Sequence, residues 1–352
     1  MIDLDDEVAV RAADPAGMLD VVAALPTHCR EGYELGRNAS PMPSNEGIGA
    51  IAFCGMGGSA VAGDMIAALG ADRLALPVVV VRGGRLPAHC GASTLVVVSS
   101  YSGNTSETLA CLEDATRRGC RVAAVTSGGR LLERAPVEGS PVVRVPAGFM
   151  PRAALGYLTM GPLGLLEAMG FEIGAGSDLA AAAEQLETLA ATLVPSVPSS
   201  VNPAKRLARA VGNRVPVIWG AAGIGAVAAA RWRTQMNENA KAPAWSAELP
   251  ELDHNEVVGW SEGQGSRFFL IALRHEAEPR DVAVRFPVSM QIARDAGAQA
   301  EEVWAADGTP LDRLLSLVMI GDFASVYLGI ARGFDPTPID AIARLKQALA
   351  EA

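Results

Sequence analysis

Leu95-Val96-Val97-Val98-Ser99-Ser100-Tyr101-Ser102-Gly103-Asn104-Thr105-Ser106-Glu107-Thr108 decides the fold class of this chain. A β-branched run passes into hydroxyl residues around a Gly-Asn turn, and Glu107-Thr108-Leu109 opens a helical pattern. That order predicts a strand, a tight loop and a helix N-terminus. Such a loop turns backbone N–H groups and several hydroxyls toward one point, and the helix dipole adds positive potential there. An ordinary N-cap needs one hydroxyl. Ser100, Ser102 and Thr105 around a glycine make a candidate phosphate receptor, built without lysine or arginine.

The same alternation extends in both directions. Strands are expected at Ile48–Cys54, Pro77–Val81, Leu95–Ser99, Arg121–Thr126 and Pro141–Val145, with helices at Ser59–Leu69 and Glu107–Arg118. These strands are continuous apolar runs, the pattern of a parallel sheet covered on both faces. The pattern restarts later. Val215–Trp219 reads as a strand, Gly220-Ala221-Ala222-Gly223-Ile224-Gly225 as a glycine turn, and the stretch to about Met236 as a helix. Further strands are expected at Phe268–Leu273 and from Glu301. Two halves opening on the same unit suggest a diverged duplication. The expected organisation is a helical segment and connector (1–47), a first domain (48–173), a helical connection (174–212), a second domain (213–335) and a C-terminal helix (336–352). Each domain is expected to be α/β, a mostly parallel sheet flanked by helices in a Rossmann-like three-layer sandwich.

Composition narrows the partners. A formal charge of −10 over 352 residues makes nucleic acid and anionic membranes poor partners. The apolar stretch Leu311–Ile330 is interrupted by Arg313, Gly321 and Asp322 and reads as a buried helix rather than a membrane span. Five cysteines show no CxxC spacing, so no disulfide, zinc site or other metal site is expected. The acidic N-terminus lacks the regions of a signal peptide, which points to the cytoplasm. Lys205, Lys241 and Lys346 are the only lysines among 29 basic side chains. Codon bias explains that on the surface; a lysine kept in such a background marks a position to inspect.

Gly55-Met56-Gly57-Gly58-Ser59-Ala60 follows a strand and fits G-x-G-x-x-A, a dinucleotide fingerprint, as does Gly223-Ile224-Gly225-Ala226-Val227-Ala228. The signal is weak in a chain with 37 glycines, and the next strand ends in Arg82 rather than an acid. A dinucleotide also leaves the hydroxyl loop without a purpose. The better use of Gly57, Gly58 and Ser59 is close backbone approach to a smaller ligand, and no cofactor is expected.

A second polar constellation runs from Gln235 to Trp260. Glu238 lies where a helix ends, and His254 sits after a proline-containing turn in Asp253-His254-Asn255-Glu256. A carboxylate with a histidine is the minimum kit for moving protons at carbon and oxygen. Helix caps in a polar loop would need the same residues, so the pattern alone leaves both readings open.

Phe53-Cys54-Gly55-Met56-Gly57-Gly58-Ser59, Ser100–Thr108, Asn237-Glu238-Asn239-Ala240-Lys241 and Glu248-Leu249-Pro250-Glu251-Leu252-Asp253-His254-Asn255-Glu256 together resemble the bifunctional phosphoglucose/phosphomannose isomerase family, which has two sugar isomerase (SIS) domains. The family usually has Asn before this histidine. Asp253 here either tunes the histidine's pKa or changes nothing. The resemblance implies a metal-free aldose–ketose isomerase of glucose 6-phosphate, mannose 6-phosphate and fructose 6-phosphate, working through a cis-enediolate. It implies that Ser100, Ser102 and Thr105, with Ser59, hold the phosphate, and that Glu238 is the base. Arg152 in Pro151-Arg152-Ala153-Ala154-Leu155-Gly156 takes the role of stabilising the enediolate. His254 and Lys346 assist ring opening, and Thr337 is the candidate for handling both epimers. The resemblance also implies a homodimer with His254 donated across the interface. The alternatives are a non-catalytic phosphosugar sensor and an isomerase of another phosphosugar. No basic DNA-binding segment accompanies the first, and no glutaminase domain points to an amidotransferase.

Overall fold

The computed structural model describes residues 2–137, 139–261 and 263–351. The chain divides into two compact units. The first comprises Ala24–Thr188 with Ala306–Leu315; the second comprises the chain up to Ala23, Leu189–Ala305 and the chain from Ser316 onward.

The expected N-terminal helical segment resolves into three helices, α1 (Glu7–Ala13), α2 (Met18–Ala23) and α3 (Leu25–Arg37). The first break follows from Asp14-Pro15. Proline cannot continue a helix, and the Asp14 carboxylate accepts the N–H groups of Met18 and Leu19, both at 2.8 Å, to start α2.

In the first unit the order is β1 (Ala50–Cys54), α4 (Gly58–Gly70), β2 (Val78–Val81), β3 (Thr94–Ser99), α5 (Ser106–Arg117), β4 (Arg121–Thr126), α6 (Gly129–Val137), β5 (Val142–Arg144) and α7 (Leu155–Ala168). The strands lie in the order β2-β1-β3-β4-β5, and every pair is parallel. All six residues of β3 are buried, as its unbroken apolar run requires when helices cover both faces. Helix α8 (Ala175–Leu193) follows.

The second unit repeats the plan with α9 (Pro203–Val211), β6 (Val215–Ala221), α10 (Ile224–Glu238), β7 (Trp245–Leu249), β8 (Phe268–Arg274), α11 (Arg280–Ala283), α12 (Arg285–Asp295) and β9 (Gln299–Trp304). Its strand order is β7-β6-β8-β9, again all parallel. Element for element this is β2-β1-β3-β4, as a duplication predicts. The repeat extends to the backbone: Gly57 (φ 53°, ψ −127°) precedes α4 and Gly223 (φ 87°, ψ −126°) precedes α10, in a region of conformational space that only glycine enters cheaply. Two helices complete the chain, α13 (Pro310–Ala331) and α14 (Asp340–Ala350). Among the described residues α13 alone is long and apolar enough to cross a membrane, and 94% of its apolar stretch is buried within the protein.

Strand β7 has no counterpart among the expected strands. It is an edge strand of Trp-Ser-Ala-Glu-Leu, with Trp245 55% exposed, and so lacks the apolar run that marked the others.

Candidate active site

In each sheet the strand order reverses once, between β1 and β3 and between β6 and β8. Doubly wound sheets bind ligands beyond the carboxyl ends of the strands at such a switch point. The hydroxyl loop is the segment leaving β3, and Gly55–Ser59 is the segment leaving β1, so both flank the same crevice. Neither α4 nor α5 receives a side-chain cap at its N-terminus: Gly57 has no side chain to offer, and Thr105 makes no capping bond. Two helix N-termini with open first turns are what an anion site requires.

The loop is rigidly held. Ser100 Oγ lies 3.0 Å from Thr105 Oγ1 and accepts the Gly103 N–H at 3.1 Å. Ser102, at the exposed tip, accepts the Asn104 N–H at 3.3 Å. Gly103 has φ +68°, and a Cβ there would stand 1.8 Å from Gly128 O, so only glycine fits. The segment after β4 braces the far side, with Arg130 N–H donating to Asn104 Oδ1 at 3.1 Å and Leu131 N–H to Gly103 O at 2.9 Å.

Arg152 is brought to this crevice. It is 2% exposed, in a single 3-10 turn that leads into α7. Gly58 packs on it: a Cβ at Gly58 would stand 3.2 Å from Pro151 O and 3.5 Å from Arg152 Cα. Tyr101, a spacer in the sequence pattern, makes the second link. Its hydroxyl donates to Pro146 O at 3.0 Å and accepts the Phe149 N–H at 2.8 Å, tying the hydroxyl loop to the segment that carries Arg152. The segments that carry Ser59, Ser100–Thr105 and Arg152 are thus joined within the first unit.

In the second unit Glu238 is the last residue of α10, with an anchored asparagine on each side. Asn237 Nδ2 donates to Ala242 O at 2.8 Å; Asn239 Nδ2 donates to Gln235 Oε1 at 3.0 Å and to Ser325 Oγ on α13 at 2.9 Å. Glu238 is half-buried and lines a cavity of about 570 Å³ bounded by Lys241, Pro243, Pro338 and Ile342. Thr337 immediately precedes that wall, and its N–H donates to Asp335 Oδ1 at 2.8 Å. Lys346 follows Ile342 by four residues on α14 and is exposed, outside the lining of the cavity.

His254 is exposed, at the end of a 3-10 turn after β7. Asp253 turns away from it: its carboxylate accepts Ser289 Oγ–H at 2.6 Å and Arg285 Nη1–H at 3.2 Å, both from α12. The aspartate thus fixes the turn that presents the histidine. Within one chain Glu238 and His254 stand on opposite sides of β7 in sequence. A strand of five residues spans roughly 16 Å.

The three lysines have separate fates. Lys205 is buried, donates to Pro195 O at 2.6 Å, and has its pKa pulled down by burial. Lys241 donates to the carbonyls of Glu238 (2.7 Å) and Pro336 (2.9 Å). Lys346 lies on the exposed α14.

Comparison with known proteins places the chain. The bacterial phospho-glucose isomerase C-terminal SIS domain matches residues 200–349. The chain is 35% identical over 336 residues to the bifunctional phosphoglucose/phosphomannose isomerase of Caldicellulosiruptor bescii, covering 95% of this chain and 99% of that one. It is also 35% identical over 301 residues to the protein of the same name from Aquifex aeolicus, 85% of this chain and 90% of that one. Among solved structures, a glucose-6-phosphate isomerase like protein from Thermus thermophilus superposes with a TM-score of 0.65 over 99% of both chains, at 21% identity, and so shares the fold.

Proposed function

The chain belongs to the bifunctional phosphoglucose/phosphomannose isomerase family, and on that footing we propose that it interconverts glucose 6-phosphate and mannose 6-phosphate with fructose 6-phosphate. The observation that carries this reading is Glu238, held between two anchored asparagines at the wall of a cavity. Ser100, Ser102 and Thr105, with the backbone of Gly57, Gly58 and Ser59, anchor the phosphate. Glu238 takes the proton from C2 of the open-chain aldose and returns it to C1, leaving the ketose. The Arg152 guanidinium stabilises the charge on the intervening enediolate, a contribution of about 3 kcal/mol for one well-placed donor. His254 and Lys346 move protons during ring opening, and Thr337 contacts the substrate where the epimers differ.

The partner in this reading is a second copy of the chain, which supplies His254. Support comes from β7, whose five residues lie between Glu238 and His254 of one chain. It comes also from α12, which holds Asp253; Val284, which caps it, and Val288 and Ile292 on it are 57%, 61% and 36% exposed. We place the reaction in the cytoplasm, a compartment that suits five cysteines without bridges.

The test is a coupled assay on both aldose phosphates with EDTA present. Wild type turns over both substrates unaffected by the chelator. Glu238→Gln loses about 10²- to 10⁴-fold in kcat, the usual share of a general base. Mixing Glu238→Gln with His254→Ala subunits restores part of the rate, because half of the mixed sites then hold both groups. Tight binding of fructose 6-phosphate by a wild type that exchanges no proton at C1 or C2 would instead make the protein a sensor.

A further inference from the structure

Lys241 stands in a position that helix termination alone does not explain. It follows α10 by three residues with φ +52°, the one positive φ outside glycine among the described residues. Helices usually end on a glycine in that conformation, because a Cβ there is strained. The chain closes around it, with Ala242 N–H donating to Met236 O at 3.1 Å. A glycine would serve that turn better. What glycine lacks is the ammonium, which donates to Glu238 O at 2.7 Å and to Pro336 O at 2.9 Å. The first carbonyl belongs to the proposed base. The second lies next to Thr337, where the chain turns into the opposite wall of the cavity.

We propose that Lys241 is a positioning residue, a clamp that sets the carboxylate of Glu238 against the segment Pro336–Ile342. The strained backbone aims the side chain back across the helix end, and the ammonium joins two carbonyls, both acceptors, that cannot bond each other. Binding of the phosphate does not involve it. Proton transfer does, because a base that wanders loses its line to the C2 hydrogen. This inference rests on the isomerase reading for its kinetic consequence and on geometry alone for the clamp.

Two variants and two readouts test it. Lys241→Gly keeps the turn and removes the ammonium; Lys241→Met keeps the aliphatic stem and the strain. Both are expected to lower kcat at least tenfold while KM moves less than threefold. The kinetic isotope effect with aldose 6-phosphate deuterated at C2 is expected to rise toward its full value, as proton transfer becomes the slow step. A residue that only ended the helix would leave the isotope effect alone. Independently of activity, amide hydrogen exchange over residues 337–342 is expected to quicken in both variants. Unchanged kcat and isotope effect in both variants of an active enzyme would overturn the positioning role. Unchanged exchange over 337–342 would overturn the clamp, whether or not the wild type isomerises hexose phosphates; an inert wild type would overturn only the isomerase reading.

Discussion

Beyond the ends of β1 and β3 the chain presents hydroxyls, glycines and two open helix N-termini. Beyond the ends of β6 and β8 the same topology holds a carboxylate of its own. Glu278 accepts Arg274 Nε–H at 3.0 Å and the His275 N–H at 2.9 Å, and Arg274 also pairs with Glu302. The guanidinium lies 4.1 Å from the centre of the Phe286 ring and 4.7 Å from that of Trp304. An internal anion thus takes donors that an external one would need. In the second unit the proposed base, Glu238, lies instead at the opposite edge of the sheet, where α10 ends. The first crevice is the proposed binding site, and its counterpart in the second unit is closed by a brace. Gly57 and Gly223 are alike in backbone, so the glycine turn is not where the two repeats part. They part in the segment leaving the central strand, β3 in one and β8 in the other.

Removing the brace gives the largest stability effect. The side chains of Arg274 and Glu278 are 7% and 2% exposed. Glu278→Ala leaves a buried guanidinium with one half-buried carboxylate partner, Glu302, and a main-chain N–H without its acceptor. The expected loss is about 3 kcal/mol, the lower end for a broken buried ion pair because Glu302 remains. Denaturant unfolding measures it. The rate per folded molecule should hold, since Glu278 belongs to no proposed site. A fall in kcat without a fall in stability would mean that the second crevice kept a catalytic part.

The contrast between the crevices was half legible in the chain. Ser100, Ser102 and Thr105 are consecutive enough to be read as one loop, and the apolar runs around them announce parallel strands. Glu278 gives no such signal, because its partners are a guanidinium four residues back and an amide. Strand β7 escaped because an edge strand of small and polar residues carries no apolar run. Asp253 invited a reading in terms of its neighbour His254, whereas its partners lie 32 and 36 residues onward on α12. The clamp of Lys241 is made with carbonyls, which every residue possesses, so nothing in the composition marks it. Ser100, Ser102 and Thr105 are legible because hydroxyl residues repeat around one turn; Asp253 and Lys241 are not, because their partners are distant or are main chain.

The first crevice breaks more gently. Ser100→Ala removes a hydroxyl that faces both Thr105 Oγ1 and the Gly103 N–H. A hydrogen bond to a charged group contributes about 1.5–3 kcal/mol, so KM for either aldose phosphate should rise roughly 10- to 100-fold. The inhibition constant of inorganic phosphate should rise in step, while kcat changes little. A fall in kcat with KM intact would show that the loop positions Arg152 through Tyr101 rather than holding the phosphate, and the two crevices would then both be braces.

The smallest effect concerns acid. His28 on α3 is buried against Tyr157 and Phe149, with ring centres 4.8 and 5.0 Å away, just behind the turn that carries Arg152. Burial pulls its pKa below 6.5, and Glu31 only partly opposes this. A depressed histidine binds fewer protons folded than unfolded. The stability of the neutral ring is therefore whole above about pH 6.5, and it drains away as the pH falls through the lowered folded value. His28→Asn carries no such proton. Between pH 7.5 and pH 5 its midpoint of unfolding should fall less than that of the wild type, even though it starts lower for want of the stacked ring. Equal slopes would place the acid sensitivity elsewhere than at His28.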